Sequence, residues 1–179
     1  MNSDSPMIEI QGKPVQRIGV IGSGQIGPDI ALHFSKVFSP FEVPVVVVDI
    51  SQDALENGQK KLNKKVDRGV EARAFRPEQG EKMKQGVIFT SDYSQLQGCD
   101  LIVEAATEDK SLKGRIFQQV QELVSPEAVL CSNSSHLEPE VIFDGISNPQ
   151  RTMVVHYFFP AERNPIVEIV PSAETCHEL

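Results

Sequence analysis

The sequence lacks a long apolar segment. None of its apolar runs approaches the roughly 20 consecutive residues that an α-helix needs to span a bilayer. Residues 1–6 also lack the basic and then apolar pattern of a secretory signal peptide. We therefore expect neither a membrane-spanning segment nor a signal peptide in this sequence.

Cysteine is scarce, and basic residues do not outnumber acidic ones. Cys99, Cys131 and Cys176 are far apart and lack the spacing of a metal site or a redox pair. This usage indicates a reducing compartment, so we expect a cytoplasmic protein.

The formal net charge of −8 argues against nucleic acid or an anionic membrane as a partner.

The composition is that of a soluble globular domain, with 40% apolar and 23% charged residues among 179. Apolar runs alternate with helix-compatible segments, which predicts an α/β fold with a doubly wound, mostly parallel sheet. Residues 70–86 are polar and are predicted to form a mobile helix–loop excursion. The predicted strands lie at residues 15–21, 45–48, 87–90, 101–104, 129–132, 152–157 and 166–171, and the predicted helices lie at residues 26–37, 52–66, 111–123 and 139–145.

A glycine-rich turn follows the first apolar run. Residues 22–27 read Gly-Ser-Gly-Gln-Ile-Gly, the pattern of a dinucleotide-binding turn between a strand and a helix. The first glycine permits the tight turn, the second lets the backbone approach a pyrophosphate, and the third lets the helix pack on the strand. The phosphates would then lie against unpaired N–H groups at the start of the helix. The predicted cofactor contacts in this turn are Gly22, Gly24, Gln25, Ile26 and Gly27.

An acidic residue ends the second apolar run. Asp49 follows Val48 and lies 22 positions after Gly27. A carboxylate at this point accepts hydrogen bonds from a ribose diol and repels a 2′-phosphate. No arginine follows it to bind such a phosphate, so the sequence predicts NAD rather than NADP as the cofactor.

A histidine and a glutamate lie in the last two predicted strands. His156 is close to the end of one strand, and Glu168 follows twelve positions later in the next. A loop between two strands can bring them side by side, where a neutral imidazole can take a proton from an alcohol near pH 7. The carboxylate would fix the tautomer of the imidazole. The alternative is a buried histidine with a structural role.

Short polar side chains follow the fifth predicted strand. Asn133, Ser134 and Ser135 can contact a nicotinamide ribose and a substrate oxygen, although a capped turn explains the same pattern. A hydrolase with Ser135 and His136 is not favoured, because neighbours in an extended chain point to opposite sides and no Gly-x-Ser-x-Gly elbow is present. We find no metal-ligand spacing and expect no metal.

The predicted helix at residues 52–66 is rich in lysine. A solvated helix face is the simpler interpretation, and a patch that binds a substrate phosphate is the alternative. The basic residues are Lys60, Lys61, Lys64, Lys65 and, just beyond, Arg68.

Five motifs together resemble those of the L-3-hydroxyacyl-CoA dehydrogenases, and specifically the NAD-binding domain of that family. The resemblance extends from about residue 15 to residue 171 and implies a Rossmann-like fold. The motifs occupy residues 22–27, 48–49, 102–105, 132–135, and 156–158 with 167–168, in the order and spacing of the family.

The resemblance implies roles for individual residues. His156 would be the general base toward the 3-hydroxyl of an (S)-3-hydroxyacyl-CoA, Glu168 would orient it, and Ser135 would hydrogen-bond the substrate oxygen. Asp49 would bind the adenosine ribose. The family's acyl-CoA lies along the helix after the second strand, which gives the basic residues a possible role with the CoA phosphates. The other predicted cofactor contacts are Glu108, Lys113 and Asn133.

Three features depart from the family pattern. Phe159 replaces the asparagine of the family's His-Phe-Phe-Asn-Pro, so a polar contact near the nicotinamide is lost or is supplied differently. His136 replaces the second serine of a serine pair. The loop before the second strand, which includes residues 38–41, is longer than usual.

We divide the sequence into an N-terminal extension (1–14), the NAD-binding domain (15–171), and the start of a helical domain or a linker (172–179). The family continues into a helical domain that covers the substrate and forms the dimer, and we expect that domain to be missing here. A homodimer or a partner subunit would then complete the site, and the chain alone would bind NADH but turn over acyl-CoA slowly or not at all.

Two alternatives remain open. One is a related dehydrogenase that acts on a sugar acid without CoA. The other is an NAD-binding subunit that is not catalytic by itself and assembles with, or regulates, a partner.

Overall fold

The computed structural model describes residues 8–179, so half of the predicted N-terminal extension lies outside the described residues. The other half contains β1 (Glu9–Ile10) and β2 (Lys13–Pro14), which form a short antiparallel hairpin. Ile8 and Ile10 pack against the core of the domain.

The described chain is organised around a sheet of seven strands. They lie in the order β5-β4-β3-β6-β7-β8-β9, and neighbouring strands are parallel except for β8 and β9. The prediction of an α/β fold with a doubly wound, mostly parallel sheet is therefore confirmed. The strands are β3 (Ile18–Ile21), β4 (Val45–Val48), β5 (Val87–Thr90), β6 (Leu101–Glu104), β7 (Val129–Ser132), β8 (Thr152–Tyr157) and β9 (Val167–Pro171).

Helices follow most of the parallel strands. Pro28 lies in the first turn of its helix, where its missing N–H removes no helical hydrogen bond. No helix in residues 8–179 has both the length and the apolar character needed to cross a membrane. The α-helices of this part of the chain are α1 (Gly27–Phe38), α2 (Gln52–Glu71), α3 (Pro77–Gln85), α4 (Lys110–Gln121) and α5 (Pro139–Ile142).

The central strands of the sheet are buried on both faces. Because side chains alternate along a strand, Val45 and Val47 of β4 join the core layer that contains α1, α2 and α3. Val46 and Val48 join the opposite layer, with α4 and α5. Both layers are apolar, which is why the central strands read as continuous apolar runs rather than as an alternation.

Several predicted segments differ from the structure, among them the helix predicted at residues 139–145, which ends at Ile142. Residues 70–86 are not an excursion from the domain, because α2 continues to Glu71 and α3 buries Gly80 and Met83. The first strand starts at Ile18 rather than at residue 15, because the N–H of Val15 donates instead to the carbonyl of Ile8 at 2.9 Å. The differences at residues 15–17 and 70–86 arise from hydrogen bonds and packing that the local sequence pattern does not show.

Residues 172–179 form turns against β8. The hydroxyl of Thr175 donates to the carbonyl of Thr152 at 2.7 Å, and the N–H of Cys176 donates to the carbonyl of Gln150 at 2.9 Å. These bonds fix this segment beside the end of the sheet where β8 begins.

Candidate active site

The glycine turn connects β3 to α1 and requires glycine at two points. Gly22 has a φ of +103°, and a Cβ there would meet the carbonyl oxygen of Ala105 at 2.7 Å. A Cβ on Gly27 would collide with the carbonyl of Gly22. The turn is therefore held tightly against the end of β6. Gly24, by contrast, faces open space, where a ligand can approach the backbone.

The start of α1 offers free hydrogen-bond donors. The N–H groups of Gly24, Gln25 and Ile26 donate to no acceptor within residues 8–179. The dipole of α1 adds partial positive charge at this point, so an anionic group is favoured here. These donors fit a pyrophosphate.

Asp49 is fixed beside the same turn. One of its carboxylate oxygens accepts from the N–H of Ser23 at 2.7 Å, and the other accepts from the N–H of Ser51 at 2.8 Å. A carboxylate has about four lone-pair sites, so each oxygen can still accept a hydroxyl. The position therefore fits a ribose diol.

A cleft of about 620 Å³, including space open to solvent, connects these groups. Asp49 and the glycine turn form one side of the cleft, and Ala106, Thr107 and Leu112 form another. The free donors, the placed carboxylate and the open space at Gly24 together fit NAD.

Beneath this cleft lies a buried ion pair. The ammonium of Lys113 donates to both carboxylate oxygens of Glu104, at 2.8 and 2.9 Å. Glu104 also accepts from the N–H of Ala106 at 2.6 Å and from the hydroxyl of Ser132 at 2.6 Å. The side chain of Lys113 is only 1% exposed, so its ammonium lies below the surface of the cleft. Direct contact of Lys113 with the cofactor stays a prediction.

Glu108 extends this network to the surface. It lies 3.1 Å from the ammonium of Lys113, and it accepts from the hydroxyl of Ser134 and from the N–H of Ser135. Partial burial alone would raise the pKa of Glu108. The hydrogen bonds from Ser134 and Lys113 and the charge of Lys113 outweigh burial and hold this pKa below its usual value.

Ser135 and His136 lie on the exposed side of the same turn. The hydroxyl of Ser135 is 3.4 Å from Nδ1 of His136, and that nitrogen is 3.5 Å from Glu108. The expectation that these neighbours point to opposite sides is wrong, because the chain turns here. The turn is closed by the N–H of Leu137, which donates to the hydroxyl of Ser134 at 2.9 Å.

His156 and Glu168 face each other across β8 and β9. They are direct partners in the antiparallel register, and Nδ1 of His156 lies 3.3 Å from a carboxylate oxygen of Glu168. The imidazole is mostly buried, with 18% of the side chain exposed, and the ring of Phe158 lies 4.6 Å from it. Glu168 is 55% exposed, so it is a hydrated partner rather than a buried one.

Asn133 connects the ends of two parallel strands. Its N–H donates to the carbonyl of Glu104 at 2.7 Å, and its side-chain oxygen accepts from the N–H of Tyr157 at 2.8 Å. The amide NH₂ of Asn133 remains available to a ligand. This residue therefore fixes the distance between the His156 strand and the Glu104 network.

The basic face of α2 is partly used inside the protein. Lys61 and Lys65 both pair with Asp29 of α1, and Lys65 also pairs with Glu162. We did not predict the roles of Asp29 and Glu162 from the sequence, or the buried position of Glu104. The acidic first turn of α1 was the available signal for Asp29, and nothing local indicated Glu162.

The described residues contain no group of three or more His, Cys, Asp or Glu that could hold a metal ion. The predicted site residues lie around the glycine cleft and around His156. Both positions lie at the carboxyl ends of the parallel strands, where sheets of this type bind ligands.

Comparison with known proteins identifies the family to which a chain with this cleft belongs. The family model for the NAD-binding domain of 3-hydroxyacyl-CoA dehydrogenases matches residues 17–179. The chain belongs to this family. It carries the family's NAD-binding domain, and the prediction of NAD as the cofactor is confirmed.

Among relatives of this 3-hydroxyacyl-CoA dehydrogenase domain are longer proteins. The chain is 34% identical over 161 residues to the peroxisomal bifunctional enzyme of Cavia porcellus, a match that covers 89% of this chain. It is 28% identical over 178 residues to the fatty acid oxidation complex subunit alpha of Shewanella halifaxensis, which covers 99% of this chain. These matches span only 21% and 25% of the relatives' own lengths.

Solved structures show the same fold. The 3-hydroxybutyryl-CoA dehydrogenase of Escherichia coli superimposes with a TM-score of 0.86 at 30% identity, over 92% of this chain and 34% of that one. The (S)-3-hydroxybutyryl-CoA dehydrogenase of Ralstonia eutropha has a TM-score of 0.84 at 25% identity, over 91% and 56% of the two chains.

Proposed function

We propose that this chain binds NAD and supplies the general base in the oxidation of an (S)-3-hydroxyacyl-CoA to a 3-oxoacyl-CoA. The observation that carries the proposal is the contact of His156 with Glu168, at the same edge of the sheet as the glycine cleft. A histidine–carboxylate pair beside a nicotinamide site is suited to removing a proton from an alcohol.

His156 would take the proton of the 3-hydroxyl on Nε2. Glu168 at Nδ1 fixes the tautomer that leaves Nε2 free to accept, and its charge stabilises the imidazolium that forms. When bound, NAD⁺ supplies the acceptor for the hydride that leaves C3. In the reverse direction the imidazolium returns its proton to the oxygen of the 3-oxo group.

The other site residues would bind and orient. The glycine turn, with Gln25 and Ile26, would hold the pyrophosphate, and Asp49 would hold the adenosine ribose. Asn133 has a free amide that can reach the nicotinamide side. Ser135 would donate its hydroxyl to the substrate oxygen, and Glu108, which lies 3.1 Å from the ammonium of Lys113, would fix the backbone of Ser135.

A basic cavity favours a CoA thioester over a sugar acid. Arg68 and Arg163 line a cavity of about 790 Å³, including space open to solvent, between α1, α2 and the segment after β8, together with the ring of Phe75. Lys36, Lys65 and Glu162 also line it, and both lysines are bonded to Glu162. Several positive charges beside an aromatic ring suit a nucleotide with phosphates. Competition by free CoA in a binding assay tests this choice, since a sugar-acid enzyme would not respond.

The deciding experiment is NADH oxidation by the 179-residue chain with acetoacetyl-CoA, for the wild type, His156→Gln and a control, His177→Gln. His177 is exposed and lies outside the site. We expect His156→Gln to lower kcat by about 10²–10⁴-fold, the usual contribution of a general base, and His177→Gln to leave it unchanged. Equal and measurable activity of all three proteins would refute the role of His156.

A second candidate function is NAD binding without turnover. It is favoured by Phe159, which stands where the resemblance implies an asparagine. Saturable NADH binding without acetoacetyl-CoA reduction in the wild type would support this second function.

A further inference from the structure

Two lysines of α2 join the first turn of α1 to the segment that follows β8. The ammonium of Lys65 lies 2.9 Å from the carboxylate of Asp29, in the first turn of α1, and 2.5 Å from the carboxylate of Glu162, in the segment that follows β8. Lys65 therefore connects α1, the helix that follows the glycine turn, with the segment that follows β8. We call this arrangement, Lys61 and Lys65 with Asp29 and Glu162, the lysine bridge.

Lys61 lies one turn earlier on the same face and strengthens the connection. Its ammonium is 3.0 Å from the carboxylate of Asp29 and donates to the carbonyl of Gln25, in the glycine turn, at 2.5 Å. It also lies 5.4 Å from the centre of the Phe159 ring, within the range of a cation–π contact. Phe159 thus contacts the lysine bridge through the face of its ring.

The acids of the lysine bridge are buried. The side chains of Asp29 and Glu162 are 1% and 9% exposed. Each has one carboxylate oxygen that accepts no hydrogen bond from any described residue. Because a buried charge without its partner is strongly destabilising, these acids hold the lysines firmly in place.

The lysine bridge fixes a segment that has no helix or strand of its own. Residues 158–166 connect β8 to β9 through turns and bends. Glu162, in the middle of this segment, is held both by Lys65 and by Lys36, whose ammonium donates to the Glu162 carbonyl at 3.1 Å. The two ends of the segment are next to the strands that carry His156 and Glu168.

We propose that Lys61 and Lys65 are positioning residues that hold segment 158–166 on α1 and so fix the geometry of the His156–Glu168 pair relative to the glycine turn. The catalytic part of this inference rests on the proposed function. It assigns to the two lysines a role inside the domain, rather than a role as free cations for a CoA phosphate.

The test compares Lys65→Met with Lys64→Met, the same change on the adjacent exposed position of α2. Hydrogen–deuterium exchange of segment 158–166 should become faster in Lys65→Met and stay unchanged in Lys64→Met. In the acetoacetyl-CoA assay, kcat should fall by about 10- to 100-fold for Lys65→Met, as expected for a displaced catalytic group, with the KM for NADH unchanged. Lys65→Arg, which keeps the charge, should restore most of kcat.

Milder variants cover the case in which Lys65→Met does not fold. Lys61→Met leaves Lys65 paired with both acids, and Phe159→Leu removes only the aromatic ring. Both should speed exchange in segment 158–166 more than Lys64→Met does. Unchanged exchange in both would overturn the proposal.

The readouts separate this inference from the proposed function. If the wild type does not reduce acetoacetyl-CoA but Lys65→Met still speeds exchange in segment 158–166, the proposed function fails and the lysine bridge stands. If Lys65→Met raises only the KM for acetoacetyl-CoA, with kcat and exchange unchanged, Lys65 is a substrate contact and the lysine bridge is refuted.

Discussion

Lys113 forms an ion pair with Glu104 in which both carboxylate oxygens lie within 2.9 Å of one ammonium and the two side chains are 1% and 0% exposed. The pair connects the end of β6 to the first turns of α4, directly below the glycine cleft. The remaining acceptor capacity of Glu104 is used by Ser132 and by the N–H of Ala106. Burial of this pair is therefore matched by a nearly complete set of hydrogen bonds.

The first prediction concerns this pair. Lys113→Met should lower the free energy of unfolding by roughly 3–5 kcal/mol, because Glu104 is left as a buried charge without a cation beside it. Urea unfolding followed by circular dichroism measures the loss. Lys110→Met is the matched control, since Lys110 is an exposed residue at the start of the same helix, and it should leave the midpoint unchanged. A small loss for Lys113→Met would mean that the pair contributes little.

The sheet could be predicted because its physical causes are local. Val45–Val48 is buried on both faces and therefore contains no polar residue. The glycine turn is equally local, since Gly22 and Gly27 are needed wherever a strand turns sharply into a helix. The order of these segments was enough to predict a parallel sheet and the edge at which ligands bind.

The polar networks could not be predicted, because the fold rather than a local sequence pattern brings their members together. Lys113 is of a type that is rarely buried, and only the fold brings Glu104 to its ammonium. The sequence favoured a solvated helix face for Lys65. Its partner Glu162 lies 97 positions away, so nothing near Lys65 in the sequence indicates the ion pair. The pattern on α2 is the same for a solvated lysine and for a paired one.

The second prediction concerns the cofactor. Asp49→Ala should weaken NADH binding by about 1–3 kcal/mol, the range for loss of hydrogen bonds to a charged group, and should narrow the difference from NADPH. Fluorescence titrations with NADH and with NADPH measure the two affinities and the difference between them. Asp53→Ala, which changes an exposed acid in the first turn of α2, is the control. An NADH titration that is the same for Asp49→Ala and the wild type would remove Asp49 from the site.

The third prediction concerns the cysteines. Burial raises the pKa of the Cys99 thiol to about 11 and that of the Cys131 thiol to about 12. Since the thiolate is the reactive form, both should resist iodoacetamide at neutral pH in the folded protein. Cys176 is partly exposed and should be alkylated first. Mass spectrometry of digested protein distinguishes the three, and rapid labelling of Cys131 before unfolding would contradict the buried position.

The last prediction is a pH dependence of stability that comes from Glu162. Burial alone would raise the pKa of this carboxyl, but its hydrogen bond with Lys65 and the neighbouring positive charges leave the pKa below its usual value. In the unfolded chain the pKa of a glutamate is about 4.3. Ionised Glu162 therefore adds stability at pH values above the unfolded pKa, and this contribution is lost as the pH falls through the lower, folded pKa.

The difference in free energy of unfolding between the wild type and Glu162→Gln separates the contribution of Glu162 from that of the other acids. We expect the free energy of unfolding of the wild type to fall more steeply than that of Glu162→Gln between about pH 6 and about pH 3. Urea unfolding at a series of pH values gives both curves. Glu71→Gln, an exposed acid at the end of α2, should follow the wild type. Parallel curves for the wild type and Glu162→Gln would show that Lys65 does not stabilise the ionised form of Glu162.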